Sequence, residues 1–439
     1  MEFKRQLMET LLEWKMSKKH KPLVVRGARQ TGKTTLLKQF GKTFDNCIYL
    51  NLEKAEDAKL FENDLSARDL IQLICLEKKC ELAKNTLLFI DEIQNSPKAV
   101  EQLRYFYEDV PELFVVCAGS LLEVMMDRHK ISFPVGRVEF RYLFPMTFRE
   151  FLLALDEHAA LELYEKENVP EFARTKLEKL FKLYQFVGGM PEAVSRYAET
   201  KDLSKLPPVF ESLLTAYKDD ATKYAKNENE ANIIRHIIET AATETGNRIA
   251  FEKFGKSSFR SKDVGEAMKK LERAMLLYLR YPVTSGDMPL IPDMKLRPRL
   301  QFLDTGLLNY ALGMTSAYFT EKKWSDSYRG MLAEQVVGQE LLAQNNGSIQ
   351  KPIFWVREKK QSNAELDFLI VKDGSVIPVE IKSGKSGTLR SLHQYIEENE
   401  PEYAIRLYKG VVGEEHATTP EKKVPYLLRN KPLFEAGKV

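Results

Sequence analysis

The chain has 439 residues, enough for about two to four domains, and its 44% hydrophobic and 29% charged residues are typical of a water-soluble protein. Its 66 Lys and Arg stand against 63 Asp and Glu, a net charge of +3, which excludes a globally basic coat and leaves any nucleic-acid contact to local patches. The 4 cysteines form no C-x-x-C pair, no apolar run reaches bilayer length and the charged N-terminus has no signal-like apolar core. A reduced, cytoplasmic protein without membrane contact is expected.

In chain order, residues 2–20 have the period of an amphipathic helix, with Leu7, Leu11, Leu12 and Met16 on one face. The apolar run from Leu23 then enters Gly27-Ala28-Arg29-Gln30-Thr31-Gly32-Lys33-Thr34-Thr35, followed by Leu36, Leu37 and Phe40 at helical spacing. This is the strand, phosphate loop and helix of a P-loop, whose backbone N–H groups and helix N-terminus receive a triphosphate. ATP with Mg²⁺ is therefore the expected cofactor. Lys33 would reach the β- and γ-phosphates, and the Thr34 hydroxyl would join the metal shell.

A strand over 47–52 and a charged helical stretch over 53–84 lead to Thr86–Asp91, a continuous apolar strand ending in Asp91 and Glu92. Helix 97–108 and the strand 113–118 follow, ending at Gly119–Ser120. Alternating strands and helices predict a doubly wound parallel sheet with its ligand at the strands' carboxyl ends. There Asp91 would hold magnesium through water and Glu92 would orient the attacking water, while Ser120 is either a γ-phosphate sensor or a turn serine. Residues 146–205 are helical, broken at Gly188–Gly189, and resemble the small lid that follows the core of AAA-type ATPases. Arg128, Arg137 and Arg141 precede it. Arg137 is the first choice for a cation answering phosphate charge in cis or from a neighbouring copy, so homo-oligomerisation stays open.

Residues 206–315 predict a third module. Helices near 209–217 and 233–242, a helix starting at Ser261, a strand over 276–281 and a second near 299–303 make a winged-helix outline. Lys262, Lys269, Lys270, Arg273, Lys295, Arg297 and Arg299 give it a basic cast, suited either to DNA or, as a merely solvated face, to docking a partner protein.

The last part, 316–439, contains Glu365–Val371, Lys372-Asp373-Gly374-Ser375 and Val376–Lys382. Asp-Gly between alternating apolar runs predicts a two-residue hairpin turn with Lys372 opposite Ser375. That register sets Asp367 opposite Glu380 and Glu365 opposite Lys382 on one face, with Leu366, Phe368, Ile370, Val379 and Ile381 on the other. Facing acids repel unless a cation lies between them, and Mg²⁺ or Mn²⁺ suits two oxygen ligands. Lys382 could stabilise developing negative charge. Upstream, a helix over 329–343 puts Glu334 on its apolar stripe, where it needs a partner that the metal could supply.

Helix Glu, strand Asp and Glu-x-Lys together are similar to the PD-(D/E)XK nuclease fold, most nearly the archaeal Holliday-junction resolvase type. More broadly, GARQTGKTT, LLFIDEIQ, CAGS, GGMPEAV, FLDTGL and the ELDFLI…VEIKSGK pair resemble a prokaryotic family of ATP-binding proteins with an AAA-type N-terminal domain and a C-terminal DUF4143 domain. The resemblance implies an α/β multidomain chain: a P-loop core over 1–145, a helical lid over 146–205, a winged helix over 206–315 and a restriction-endonuclease-like domain over 316–439. It implies an ATPase whose nucleotide state controls a DNA-acting tail, with Glu334, Asp367, Glu380 and Lys382 as the phosphodiester site. The alternatives are a nucleotide-switched scaffold or a DNA-binding protein with a silent tail.

Overall fold

A computed structural model describes residues 2–119, 133–134, 136–223, 225–315, 318, 324–344, 347, 350–357, 364–385 and 387–439. The chain forms two compact units, one of Met1–Met146, Lys269–Leu276 and Asn345–Ile349 and the other of Thr147–Met268, Leu277–Gln344 and Gln350–Val439.

The first unit holds five parallel strands: β1 (Leu23–Arg26), β2 (Asn46–Asn51), β3 (Thr86–Asp91), β4 (Phe114–Gly119) and β5 (Glu139–Tyr142), in the order β2-β3-β4-β1-β5. Alternate residues of each strand face opposite sides. Val24, Leu88, Ile90, Val115 and Cys117 pack with Ile71, Ile74, Leu103 and Phe106. Leu23, Val25, Leu87, Phe89, Val116 and Ala118 pack with Leu36, Leu37 and Phe40. Both faces are thus covered, which explains the unbroken apolar runs of β3 and β4.

The N-terminal helix is Leu7–Met16, shorter than the expected 2–20, and it buries Leu7, Leu11 and Trp14. Leu12 and Met16, expected on that face, are 40% and 82% exposed. Trp14 lies seven residues beyond Leu7, nearer a whole number of helical turns, and its ring N–H donates to the Lys21 carbonyl at 3.1 Å.

The second unit opens with helices Phe148–Ala154, His158–Glu165, Glu171–Val187 and Pro191–Thr200. Helices Pro207–Lys223 and Glu228–Glu244 follow, and Ser261–Arg273 comes next in the chain. Then β6 (Leu277–Arg280), the two-residue β7 (Pro282–Val283) and β8 (Arg299–Phe302) appear, β6 and β8 pairing antiparallel. Helix Asp326–Ala343 precedes the strands β9 (Ile353–Val356), β10 (Glu365–Lys372), β11 (Ser375–Lys382), β12 (Tyr403–Tyr408), β13 (Gly413–Thr418) and β14 (Pro425–Pro432). These make a seven-stranded mixed sheet in the order β13-β14-β12-β11-β10-β9-β7. Helix Arg390–Asn399 covers it with Leu392, Tyr395 and Ile396 packed on Trp355, Leu366, Leu369 and Leu428.

The β10–β11 hairpin has the register its turn predicts, from Lys372↔Ser375 to Phe368↔Val379. Its apolar face differs from strict alternation: pairing to β9 shifts between Leu366 and Leu369, so both enter the same core while Ile370 is only half-buried. A one-residue irregularity reverses the side-chain phase of everything beyond it.

Candidate functional site

In the first unit the carboxyl ends of β1, β4 and β3 lie side by side, with Arg26 opposite Gly119 and Ile90 opposite Cys117. The loop leaving β1 is tight. A Cβ on Gly27 would come within 2.4 Å of the Leu143 carbonyl oxygen. Gly32 adopts φ 94°, open to glycine at no steric cost, and the helix Lys33–Gly41 starts at the next residue. Lys33 is buried, and its ammonium donates to the Gly27 and Ala28 carbonyls at 2.9 and 2.8 Å. Burial lowers its pKa to about 8, against the pull of Glu92 and Asp91. A cation desolvated in this way gains from an arriving anion.

Asp91, at the end of β3, accepts hydrogen bonds from the Thr34 side chain, from the Tyr49 hydroxyl at 3.1 Å and from the Glu92 backbone N–H at 3.2 Å. Burial raises its pKa, and those bonds partly offset the rise. Glu92 follows in left-handed backbone (φ 52°), its carboxylate held by the Gln94 amide. The structure therefore brings Lys33, Thr34, Asp91 and Glu92 to one strand edge. Ser120 and Arg128 lie outside the described residues. Arg137 pairs with Glu108 at 2.9 Å, and Arg141 with Glu139 at 3.3 Å.

Two residues that the sequence did not single out support this loop. Arg5 donates to the Thr31 carbonyl at 2.8 Å and to the Phe144 carbonyl at 2.7 Å, tying the loop to the chain after β5. Tyr49 braces Asp91. An arginine near a helix and a tyrosine within a strand carry no signal of such roles.

The second cluster lies wholly within the second unit. Glu334 is on the buried side of its helix, as its position on the apolar stripe predicts, but its partners are arginines. Arg280 and Arg299 both donate to its Oε1, at 3.1 and 2.8 Å. Arg299 also donates to Glu365 at 2.8 Å and faces Asp367 at 3.4 Å, and Arg248 donates to Glu365 at 2.9 Å. Arg280 reaches the Asp367 carbonyl at 2.7 Å and stacks 3.9 Å from the Phe368 ring centre. Burial lowers the pKa of Arg280 to about 10, with Glu334 opposing the fall. For Arg299, burial works against the charge, yet Glu334, Asp367 and Glu365 together hold its pKa above the ordinary value.

The expected Glu365–Lys382 contact is replaced. Glu365 takes Arg248 and Arg299, while Lys382 bonds the Glu380 carboxylate. Asp367 and Glu380 do lie close: Asp367 accepts the Ile381 backbone N–H at 2.9 Å, and Glu380 is raised to about 8 by burial and then by the Asp367 charge. Glu380 Oε2 is buried without a partner. Arg299, counted with the basic face by sequence, is buried here; Lys262, Lys269, Arg273, Lys295 and Arg297 are exposed.

Divalent-metal fit differs between the sites. At the P-loop, the Thr34 hydroxyl and Asp91 carboxylate already touch, which suits a magnesium shell. In the second cluster, Glu334 is consumed by guanidinium groups. Among the described residues no three His, Cys, Asp or Glu side chains are grouped to hold a metal. Of the set Glu334, Asp367 and Glu380, Glu334 is taken by two arginines, while Asp367 and Glu380 stay close to each other with Glu380 Oε2 unpartnered.

Family models match three stretches: an AAA domain at residues 19–152, a domain of unknown function (DUF8612) at 178–318 and another (DUF4143) at 329–421. No curated protein matches the chain. Among solved structures, it is similar to PCH-2 from C. elegans at 15% identity and TM-score 0.26, over 47% of this chain and 60% of that one. A signal-transduction ATPase with a tetratricopeptide repeat sensor from Pyrococcus horikoshii matches at 13% identity and TM-score 0.30, over 79% and 50%. The Aeropyrum pernix ORC1 protein, in a complex with DNA, matches at 13% and 0.25, over 72% and 92%. The chain thus spans 60% and 50% of the first two. Among the described residues no helix is long and apolar enough to cross a membrane. The P-loop lies inside the first matched stretch and the arginine-bound acids Glu334, Glu365 and Asp367 inside the last, so the chain carries an AAA domain in its N-terminal part and a DUF4143 domain in its C-terminal part.

Proposed function

We propose that this protein is a magnesium-dependent ATPase whose nucleotide state governs a C-terminal domain that binds DNA without cutting it. The ATPase part rests on one contact above all: the Thr34 side chain meets the Asp91 carboxylate beside the buried Lys33 ammonium. Thr34 and Asp91 would hold the magnesium ion, which supplies charge neutralisation on the phosphates. Gly27 to Thr35 would wrap the triphosphate with backbone N–H groups, Lys33 would leave its two carbonyl partners for phosphate oxygens, and Glu92 would orient water.

The silent-tail reading is favoured over the nuclease reading by the arginines. Three acids, Glu334, Glu365 and Asp367, are answered by Arg248, Arg280 and Arg299, leaving Glu380 to Lys382. With Glu334 and Glu365 held by guanidinium groups, only the Asp367–Glu380 pair keeps carboxylate oxygens to offer a divalent ion, which weakens the pull on one. The order helix Ser261–Arg273, β6, β8 along the chain, with exposed Lys262, Lys269, Arg273, Lys295 and Arg297, supports DNA as partner.

The test is purified full-length protein incubated with ATP, Mg²⁺ or Mn²⁺ and labelled branched, duplex and single-stranded DNA. ATP turnover, DNA retardation and no cleavage are expected. Cleavage that vanishes in Asp367→Ala would restore the nuclease, and absence of turnover would remove the ATPase.

A further inference from the structure

A cleft of about 720 Å³ opens in the second unit, within the size range of sites that enclose a small ligand. Helices Glu171–Val187 and Asp326–Ala343 line it, with the ends of β12 and β14 and Ser383, the residue after Lys382. Four of its lining residues are cationic (Lys179, Lys182, Arg329 and Lys409), against one acid, Glu178. Lys179, Lys182, Arg329 and Lys409 are exposed. Arg329 has the exposed Asp326 as a neighbour, and the Lys182 ammonium lies 5.2 Å from the Trp324 ring centre. The half-buried Trp324 adds an aromatic ring to the same wall, while Tyr408 is buried beneath it with its ring against Arg406.

We infer that this cleft binds one unpaired stretch of a nucleic-acid strand, phosphates on the lysines and a base against Trp324. Cations alternating with rings are what single strands require, because a backbone carries charge at every step and every base offers a flat face. A duplex hides its bases and cannot use the ring. The cleft begins one residue past Lys382, at Ser383, on the C-terminal sheet. The inference rests on the DNA-binding reading proposed above, but neither the P-loop nor the arginine-bound acids take part in it.

The test uses the full chain with a labelled oligothymidylate of twelve nucleotides, the matched duplex and AMP. Trp14 and Trp355 are buried (4% and 0% exposed), so quenching of intrinsic fluorescence by the oligomer reports the half-buried Trp324. Expected are quenching by the oligomer, weaker binding of the duplex, and loss of at least about fivefold in affinity in Trp324→Leu. Lys182→Ala and Lys409→Ala should each lower the slope of log affinity against log salt by about 0.7, the value for one single-strand phosphate contact. Circular dichroism melts confirm that each variant folds. Oligomer binding unchanged in all three variants overturns the cleft and leaves the DNA reading standing. No binding of oligomer or duplex overturns both, and AMP binding as tightly as the oligomer overturns the strand.

Discussion

Arg299 and Glu334 stand 2.8 Å apart, 35 residues apart in sequence, with side chains only 10% and 14% exposed. The guanidinium that neutralises Glu334 also reaches Glu365, so one arginine from β8 answers acids from a helix and from a strand of the C-terminal sheet. A planar fork can bond two carboxylates at once in a way a single ammonium cannot.

Arg299→Leu should therefore be strongly destabilising, by about 3–5 kcal/mol, because it leaves buried acids uncompensated. Arg299→Lys should recover only part of the loss. Denaturant unfolding of both variants checks this, and a lysine variant as stable as the wild type would refute the fork.

At the P-loop, Lys33→Ala should abolish ATP binding, whereas Glu92→Gln should bind ATP normally and hydrolyse it about 10²–10⁴-fold more slowly. Equilibrium binding of a fluorescent ATP analogue, run beside phosphate release, separates the two. Turnover by Glu92→Gln at the wild-type rate would remove Glu92 from the water-orienting role.

The Gly-Gly and Asp-Thr-Gly segments meet directly. Asp304, fully buried, accepts backbone N–H bonds from Gly189, Gly306 and Leu307. Gly188 has φ 72°, and a Cβ there would fall 2.2 Å from Asp304 Oδ1. Gly188→Ala should cost on the order of 3 kcal/mol or more, seen as a large drop in melting temperature. A shift of a degree or two would show that the two segments yield easily.

Glu340 is buried, accepts from the Tyr184 hydroxyl at 2.7 Å and the Phe148 N–H at 2.9 Å through one oxygen, and is raised by burial from 4.5 to about 7. A carboxyl with a raised folded pKa favours the protonated folded state. Its contribution therefore falls as pH climbs past 4.5 and levels off above about 7. Glu340→Gln keeps the accepting oxygen and removes the titration. Its stability advantage should widen over that interval, on the order of 3 kcal/mol in total. Melts from pH 4.5 to 8.5 measure the difference, and parallel curves for the two proteins would disprove it.

The nucleotide site was legible because its parts are local. Gly27, Gly32, Lys33 and Thr34 lie in one loop, and the apolar run of β3 delivers Asp91 and Glu92 to a strand end. The hairpin register was equally legible, since Asp373–Gly374 fixes it within four residues. Legibility stopped at Leu366–Leu369, where the shifted pairing to β9 depends on a strand that approaches from outside the hairpin.

By itself the sequence determined the strand–loop–helix that receives phosphate, the sheet buried on both faces and the closeness of Asp367 to Glu380, all set by spacing along the backbone. Tertiary structure decided what balances the acids. Arg280 lies 54 positions from Glu334, and Arg248 lies 117 from Glu365. Charge compensation acts through space over a few ångströms and leaves no periodic trace in the chain, so the arginines that hold Glu334 and Glu365 could not be read from the pattern.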